Sequence, residues 1–192
     1  MFINNWKKEV FTIPNFLSLF RLALIPVYMA VYLNAGTIRD YHLAGGILAL
    51  SCLTDAMDGQ VARHFHMVSN VGKVLDPFAD KITQFTLTLC LSLRYRALWP
   101  VLLIFLVKEL FQLIAGVVNL RRGKMLPGAL FAGKVCTTVL FVSFLVLVLF
   151  PDLPAGFVEI LAFLDSLFLL FSFAGYLSAY LGQKVEDIER NG

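Results

Sequence analysis

Six stretches of the chain run apolar for about 20 residues each, separated by short polar segments that gather Lys, Arg, Asp and Pro. About 20 apolar residues at helical rise cross the hydrocarbon of a bilayer. The pattern predicts spans at roughly 14–34, 42–63, 76–94, 98–120, 129–150 and 155–181. Pro14, Pro77, Pro127 and Pro154 stand at or near predicted helix starts, where a missing N–H costs little. No internal repeat or long linker interrupts the series, so residues 1–192 read as a single all-α, polytopic membrane domain. Before the first span, the apolar and Lys residues between Phe2 and Phe11 predict a short helix lying on the membrane surface. The N-terminal apolar stretch runs too long, and lacks too clearly a small-residue cleavage site, to read as a cleavable signal.

Composition sharpens this picture. The chain is 59% hydrophobic and 15% charged, with a mean hydropathy of +0.79. A soluble domain is about half apolar and about a quarter charged, so the excess belongs to lipid-facing surface. A net charge of +3 gives no reason to expect nucleic acid. Cys52, Cys90 and Cys136 lie scattered in apolar stretches without metal-ligand spacing, as small buried hydrophobes do. The basic residues are distributed unevenly. With the N-terminus inside, one side collects Lys7, Lys8, Arg63, Lys73, Arg121, Arg122, Lys124, Lys184 and Arg190; the other has Arg39, Arg94 and Arg96. The richer side is expected to be cytoplasmic, with the protein in the inner (cell) membrane. Tyr95 and Trp99 then suit the outer interface and Trp6 the inner one.

The polar positions that stand out are four aspartates. The second span ends in LTDAMDGQVAR and the third begins near GKVLDPFADK. A short loop joins them, so topology brings Asp55 and Asp58 to the same membrane level as Asp76 and Asp80. Asp76 and Asp80 are four apart and share a helix face. Asp55, Asp58, Gly59 and Ala62 follow three- and four-residue spacing on another. A carboxylate near the bilayer costs several kcal/mol without compensation, and four together repel one another. Divalent metal is the expected compensation, because hard cations take oxygen ligands. Gly59, Ala62 and Gly72 are small enough for a ligand or a backbone to approach closely. A blander reading makes each Asp a solvated helix cap, Asp76 before Pro77 above all. Four clustered carboxylates with two glycines and an arginine fit that reading poorly.

Residues 55 to 80 read D-xx-D-G-xx-A-R-x8-G-xxx-D-xxx-D. This resembles the signature of the CDP-alcohol phosphatidyltransferases, and length and six-helix plan are similar over nearly the whole chain. The resemblance implies transfer of the phosphatidyl group of CDP-diacylglycerol to an alcohol, with release of CMP. It implies two divalent ions, Mg²⁺ or Mn²⁺, bridged by Asp55 and Asp76, with Asp58 completing one site and Asp80 the other. It further implies that Asp80 takes the proton of the attacking hydroxyl, that Gly59 and Arg63 meet the CDP moiety, and that Ser69 makes a further nucleotide contact. A homodimer is implied as well. From the chemistry alone, a diphosphate needs its charge neutralised, and Arg63 offers a permanent charge with donors suited to phosphate.

The acceptor is written less plainly. The opening IPNFLSLFRLALIPV resembles bacterial phosphatidylglycerophosphate synthases, which implies sn-glycerol 3-phosphate. Basic residues for a phosphorylated acceptor are expected among Lys81, Lys108, Lys134 and Arg121, with Glu109 pairing Lys81 or Lys108. That subgroup carries Arg-Glu where this chain has Lys108-Glu109. The stretch PGALFAGKVCTTVLF also resembles cardiolipin synthases, which makes phosphatidylglycerol the runner-up acceptor behind sn-glycerol 3-phosphate. Arg121, Arg122 and Lys124 serve equally to set topology or touch anionic lipid. Arg21 in the first span is expected to line the pocket or snorkel, and His64 and His66 to be solvated. A different class, a divalent-cation transporter, would use the same aspartates but needs no Gly59 or Arg63; a catalytically silent scaffold would not need all four aspartates.

Overall fold

The computed structural model describes residues 13–64, 72–121 and 131–191, with side chains over 15–54, 75–119 and 133–182. The described residues form six α-helices and no strand: α1 (Ile13–Leu33), α2 (Ile38–His64), α3 (Gly72–Arg94), α4 (Trp99–Arg121), α5 (Phe131–Leu149) and α6 (Ala155–Asn191). A single 3₁₀ turn, Arg96–Leu98, leads into α4. The helices coincide one for one with the expected spans, and the chain is a polytopic membrane protein. By length and composition α1, α4 and α6 are fit to cross a membrane, and α5 is a shorter apolar helix. α2 and α3 carry their aspartates within the helix, which lowers their apolarity. The expected surface helix at Phe2–Phe11 lies outside the described residues, as do Pro127, Arg122, Lys124 and His66.

Three boundaries differ from expectation for local reasons. α2 starts at Ile38 because Thr37 and Asp40 cap it reciprocally. The Asp40 carboxylate accepts from the Thr37 N–H (2.8 Å) and hydroxyl (2.9 Å), and the Asp40 N–H reaches back to the Thr37 hydroxyl at 3.4 Å. α3 starts at Gly72, so Asp76 lies past the first turn and is not its N-cap. Pro77 is consequently inside the helix and leaves the Lys73 carbonyl without an intrahelical donor. α6 runs to Asn191, because residues 183–190 hold no Gly or Pro and Gln183, Lys184, Glu186, Glu189 and Arg190 are good helix formers that continue the helix after the apolar stretch has ended. Pro26 lies inside α1 in the same way as Pro77 in α3.

The chain divides into two compact units, residues 1–90 with 148–151, and residues 91–147 with 152–192. In the first unit α1 and α2 form an antiparallel hairpin. Tyr28 stacks on Tyr32 and Tyr41 meets Tyr32 edge-on, while the Tyr41 hydroxyl donates to the Ala35 carbonyl at the turn. Gly45 packs closely: a Cβ there would stand 2.7 Å from Leu149 Cδ2, so that side chain would have to shift. α1 is polarised, with Asn15, Ser18 and Arg21 buried on one face and Phe16, Leu19 and Phe20 exposed on another, Phe16 at 69%. In water such a face would be a liability; in lipid it is solvated.

In the second unit α4 and α6 pack together. Phe111 makes edge contacts with Phe173 and Tyr180. Between α5 and α6, the Ser143 hydroxyl donates to Asp165 Oδ1 at 2.9 Å. Asp165 is fully buried. Ser92 donates to the Leu98 carbonyl and fixes the turn into α4.

Candidate active site

The aspartates occupy two helices of the first unit. The backbone of α2 places Asp55, Asp58, Gly59, Ala62 and Arg63 in its last turns, at spacings that keep them on one side of the helix. Their side chains lie outside the described residues, and Ser69 lies outside them altogether. Gly72 is the first residue of α3. Asp76 and Asp80 follow one and two turns later, each half-buried.

Both carboxylates meet α1. The Ser18 hydroxyl donates to Asp76 Oδ1 at 2.5 Å, and Arg21 Nη1 donates to Asp80 Oδ1 at 2.5 Å. Ser18 is fully buried and Arg21 is 2% exposed, whereas the Asp80 side chain is 49% exposed. Each carboxylate is therefore held on its protein side. A carboxylate has a second oxygen with its own lone pairs, so a bond to one oxygen does not use up its ligand capacity. Among the described residues no three acidic, His or Cys side chains converge; the side chains of Asp55 and Asp58 lie outside that set. The donor chemistry fits a divalent cation: carboxylate oxygens on one helix face, anchored from behind, with partial access from solvent.

The basic residues fall in different places. Lys81 is half-buried on α3, next to Asp80. Lys108 is 4% exposed on α4 and pairs with Glu109 at 2.7 Å, with the side-chain Oε1 of Gln112 at 3.4 Å and the Tyr176 ring beneath the ammonium, 5.9 Å from its centroid. Glu109, expected to pair with Lys81 or Lys108, meets Lys108. Lys134 is exposed in the first turn of α5, and Arg121 ends α4 with its side chain outside the described residues. Ser18 is a contact that reading of the chain missed. Its signal was present: Asn15, Ser18 and Arg21 recur every three residues in an otherwise apolar span.

A family model described as CDP-alcohol phosphatidyltransferase matches residues 11–174. The chain belongs to that family. It is similar to a cardiolipin synthase (CMP-forming) of Streptomyces coelicolor, 34% identical over 145 residues, covering 73% of this chain and 66% of that protein. A cardiolipin synthase (CMP-forming) of Rattus norvegicus is 37% identical over 117 residues, 60% of this chain and 37% of that protein. A protein of Mycobacterium tuberculosis named "probable phosphatidylglycerophosphate synthase" is 30% identical over 138 residues, 69% of this chain and 64% of that protein. The match thus spans about two thirds of the length of the bacterial relatives and about a third of the rat one. Within the matched stretch lie all positions of the 55–80 motif and also Ser18 and Arg21.

Proposed function

We propose that this protein is a membrane phosphatidyltransferase that uses CDP-diacylglycerol and releases CMP, with residues 1–192 as one catalytic domain. What carries the reading is the complete D-xx-D-G-xx-A-R-x8-G-xxx-D-xxx-D motif inside the family match. Asp55, Asp58, Asp76 and Asp80 are the proposed holders of two divalent cations, Mg²⁺ or Mn²⁺. Bound there, the cations would neutralise the diphosphate and make the acceptor hydroxyl more acidic. Gly59 and Ala62 leave room for the nucleotide, Arg63 and Ser69 donate to it, and Gly72 lets α3 begin close to it.

The acceptor hydroxyl oxygen forms a new bond to the phosphorus carrying the diacylglycerol. The bond from that phosphorus to the bridging oxygen of CMP breaks, and CMP leaves with the bonding pair. The hydroxyl proton passes to Asp80, whose half-exposed carboxylate is held by Arg21 on its other side. The acyl chains stay in lipid throughout, and the basic-residue bias supports a site facing the cytoplasm in the inner membrane. A homodimer is part of the proposal by family likeness alone.

The acceptor favoured is phosphatidylglycerol, which would make the product cardiolipin. Two of the three relatives above carry the name cardiolipin synthase. The charge of Lys108 is met by Glu109 in its own helix, which suits a singly charged phosphodiester better than a glycerol phosphate dianion. The second reading is sn-glycerol 3-phosphate, supported by the opening IPNFLSLFRLALIPV and the mycobacterial relative. Lys81, Lys134 and Arg121 would supply charge to either acceptor, with Lys108 contributing as a pair. The test is CMP release by the purified full chain with CDP-diacylglycerol, Mg²⁺ or Mn²⁺ and each acceptor in turn. CMP and cardiolipin with phosphatidylglycerol support the first reading. CMP with glycerol 3-phosphate alone moves the assignment to the second. CMP with neither, while a cation crosses vesicles that contain the protein, would make it a transporter.

A further inference from the structure

We infer that Ser18 and Arg21 of α1 are positioning residues for the metal centre, holding Asp76 and Asp80 in the orientation in which they take a cation. The inference rests on the proposed function, since it presumes that those carboxylates bind metal.

Two matched contacts carry it. Ser18 and Arg21 are three apart and Asp76 and Asp80 four apart, and the bonds pair them in the same order, 18 with 76 and 21 with 80. The start of α1 therefore runs beside the start of α3 in the same direction. Three residues rise about 4.5 Å and four about 6 Å, a mismatch that the long Arg side chain takes up. One contact alone would leave α3 free to rotate about its axis; two, a turn apart, fix which face it presents.

Burial gives the division of labour. Ser18 and Arg21 are closed off from solvent, while Asp80 is open on its far side. A donor so enclosed cannot itself reach a ligand in the open. It acts on such a ligand through the carboxylate it meets. Packing α1 on α3 would not by itself call for these residues, because buried ion pairs are often replaced by apolar side chains without loss of stability. An apolar side chain at 18 or 21 would remove the donor that meets Asp76 Oδ1 or Asp80 Oδ1 from the enclosed side, and the carboxylate would be less firmly oriented. Arg21 also brings a fixed positive charge to Asp80, restraining its repulsion with Asp76 one turn away before a cation arrives. The remaining polar residue of the stripe, Asn15, is buried on the same face of α1.

The test uses purified full-length protein and Mn²⁺, read by titration and by electron paramagnetic resonance of the bound ion. Ser18→Ala is expected to weaken Mn²⁺ binding about tenfold, the worth of one hydrogen bond to a charged group, and to alter the spectrum. Ser18→Thr keeps the hydroxyl and should restore both. Arg21→Lys keeps the charge but not the planar fork, and should lower kcat about tenfold while KM for CDP-diacylglycerol stays put. The thermal midpoint in EDTA serves as the control for folding, and it should be close to wild type in Ser18→Thr and Arg21→Lys. Wild-type Mn²⁺ affinity, spectrum and kcat in Ser18→Ala and Arg21→Lys overturn the inference, as does a wild-type protein that binds no Mn²⁺. If Ser18→Ala weakens Mn²⁺ binding but the wild type releases no CMP with any alcohol, the positioning role stands and the proposed reaction falls.

Discussion

Asp80 on α3 and Arg21 on α1 form an ion pair across 59 positions of sequence, with the guanidinium enclosed and the carboxylate half open. The pair holds the proposed base from the protein side while its side chain stays 49% exposed. Asp80→Asn keeps the shape and an acceptor oxygen for Arg21 but cannot take a proton. CMP release is expected to fall at least about 100-fold, as for loss of a general base. CDP-diacylglycerol binding should persist, because the other three aspartates and the proposed nucleotide contacts are untouched. Both are measured on the same preparation, and turnover near wild type would remove Asp80 from the role.

The buried pair of Ser143 and Asp165 makes a different prediction, about stability. Ser143→Ala removes the donor to Asp165 Oδ1 in a site without solvent. The loss should be about 1–2 kcal/mol, the range for a buried acceptor left unpaired and for polar contacts between membrane helices. Replacing both, Ser143→Ala with Asp165→Leu, should recover most of it, since no polar group then remains to be satisfied. Thermal unfolding in detergent across the double-mutant cycle reads the coupling. Additive losses would mean that the two side chains act independently.

Much of this was legible in the chain. Six runs of about 20 residues became six helices among the described residues, as a bilayer demands internally bonded backbone, although only α1, α4 and α6 are long and apolar enough to cross one by length and composition. The aspartates were legible for the opposite reason: charge in an apolar span is too costly to be incidental. What escaped was set by geometry between helices. Nothing in the residues near Asp76 says that Ser18, 58 positions away, donates to it. Helix ends escaped too, because capping and helix propensity decide them while apolarity marks only the lipid-facing length. Asp76 looked like a cap beside Pro77, yet α3 begins a turn earlier and carries the proline inside.

The turn between α1 and α2 should respond to acid. Hydrogen bonds from the Thr37 N–H and hydroxyl and from the Gly36 N–H hold the Asp40 carboxyl below its ordinary range, against a small opposing effect of desolvation. Folding therefore favours the ionised form. The cap's stabilisation is present above the unfolded pKa near 3.8 and is lost as pH falls through the lower folded value. Asp40→Asn should be less stable than wild type at neutral pH, and the gap should shrink as pH drops below about 4. Thermal midpoints of the two proteins between pH 6 and pH 3 test this. A gap that stays constant over that range would show that the ionised cap contributes nothing.

Lys108 and Glu109 separate a structural from an acceptor-facing role. The ammonium is enclosed and its charge is met by the neighbouring carboxylate at 2.7 Å. Lys108→Met leaves Glu109 without that partner and should destabilise by about 3 kcal/mol, the lower end for breaking a buried pair. The double variant Lys108→Met with Glu109→Leu removes both charges and should regain most of that stability. Its kinetics then become informative. If the pair faces the acceptor, KM for phosphatidylglycerol rises several-fold while KM for CDP-diacylglycerol stays constant, because only uniform binding of one substrate is lost. Unchanged kinetics for both substrates in a stable double variant would confine the pair to holding α4, and would leave Lys81, Lys134 and Arg121 to meet the acceptor.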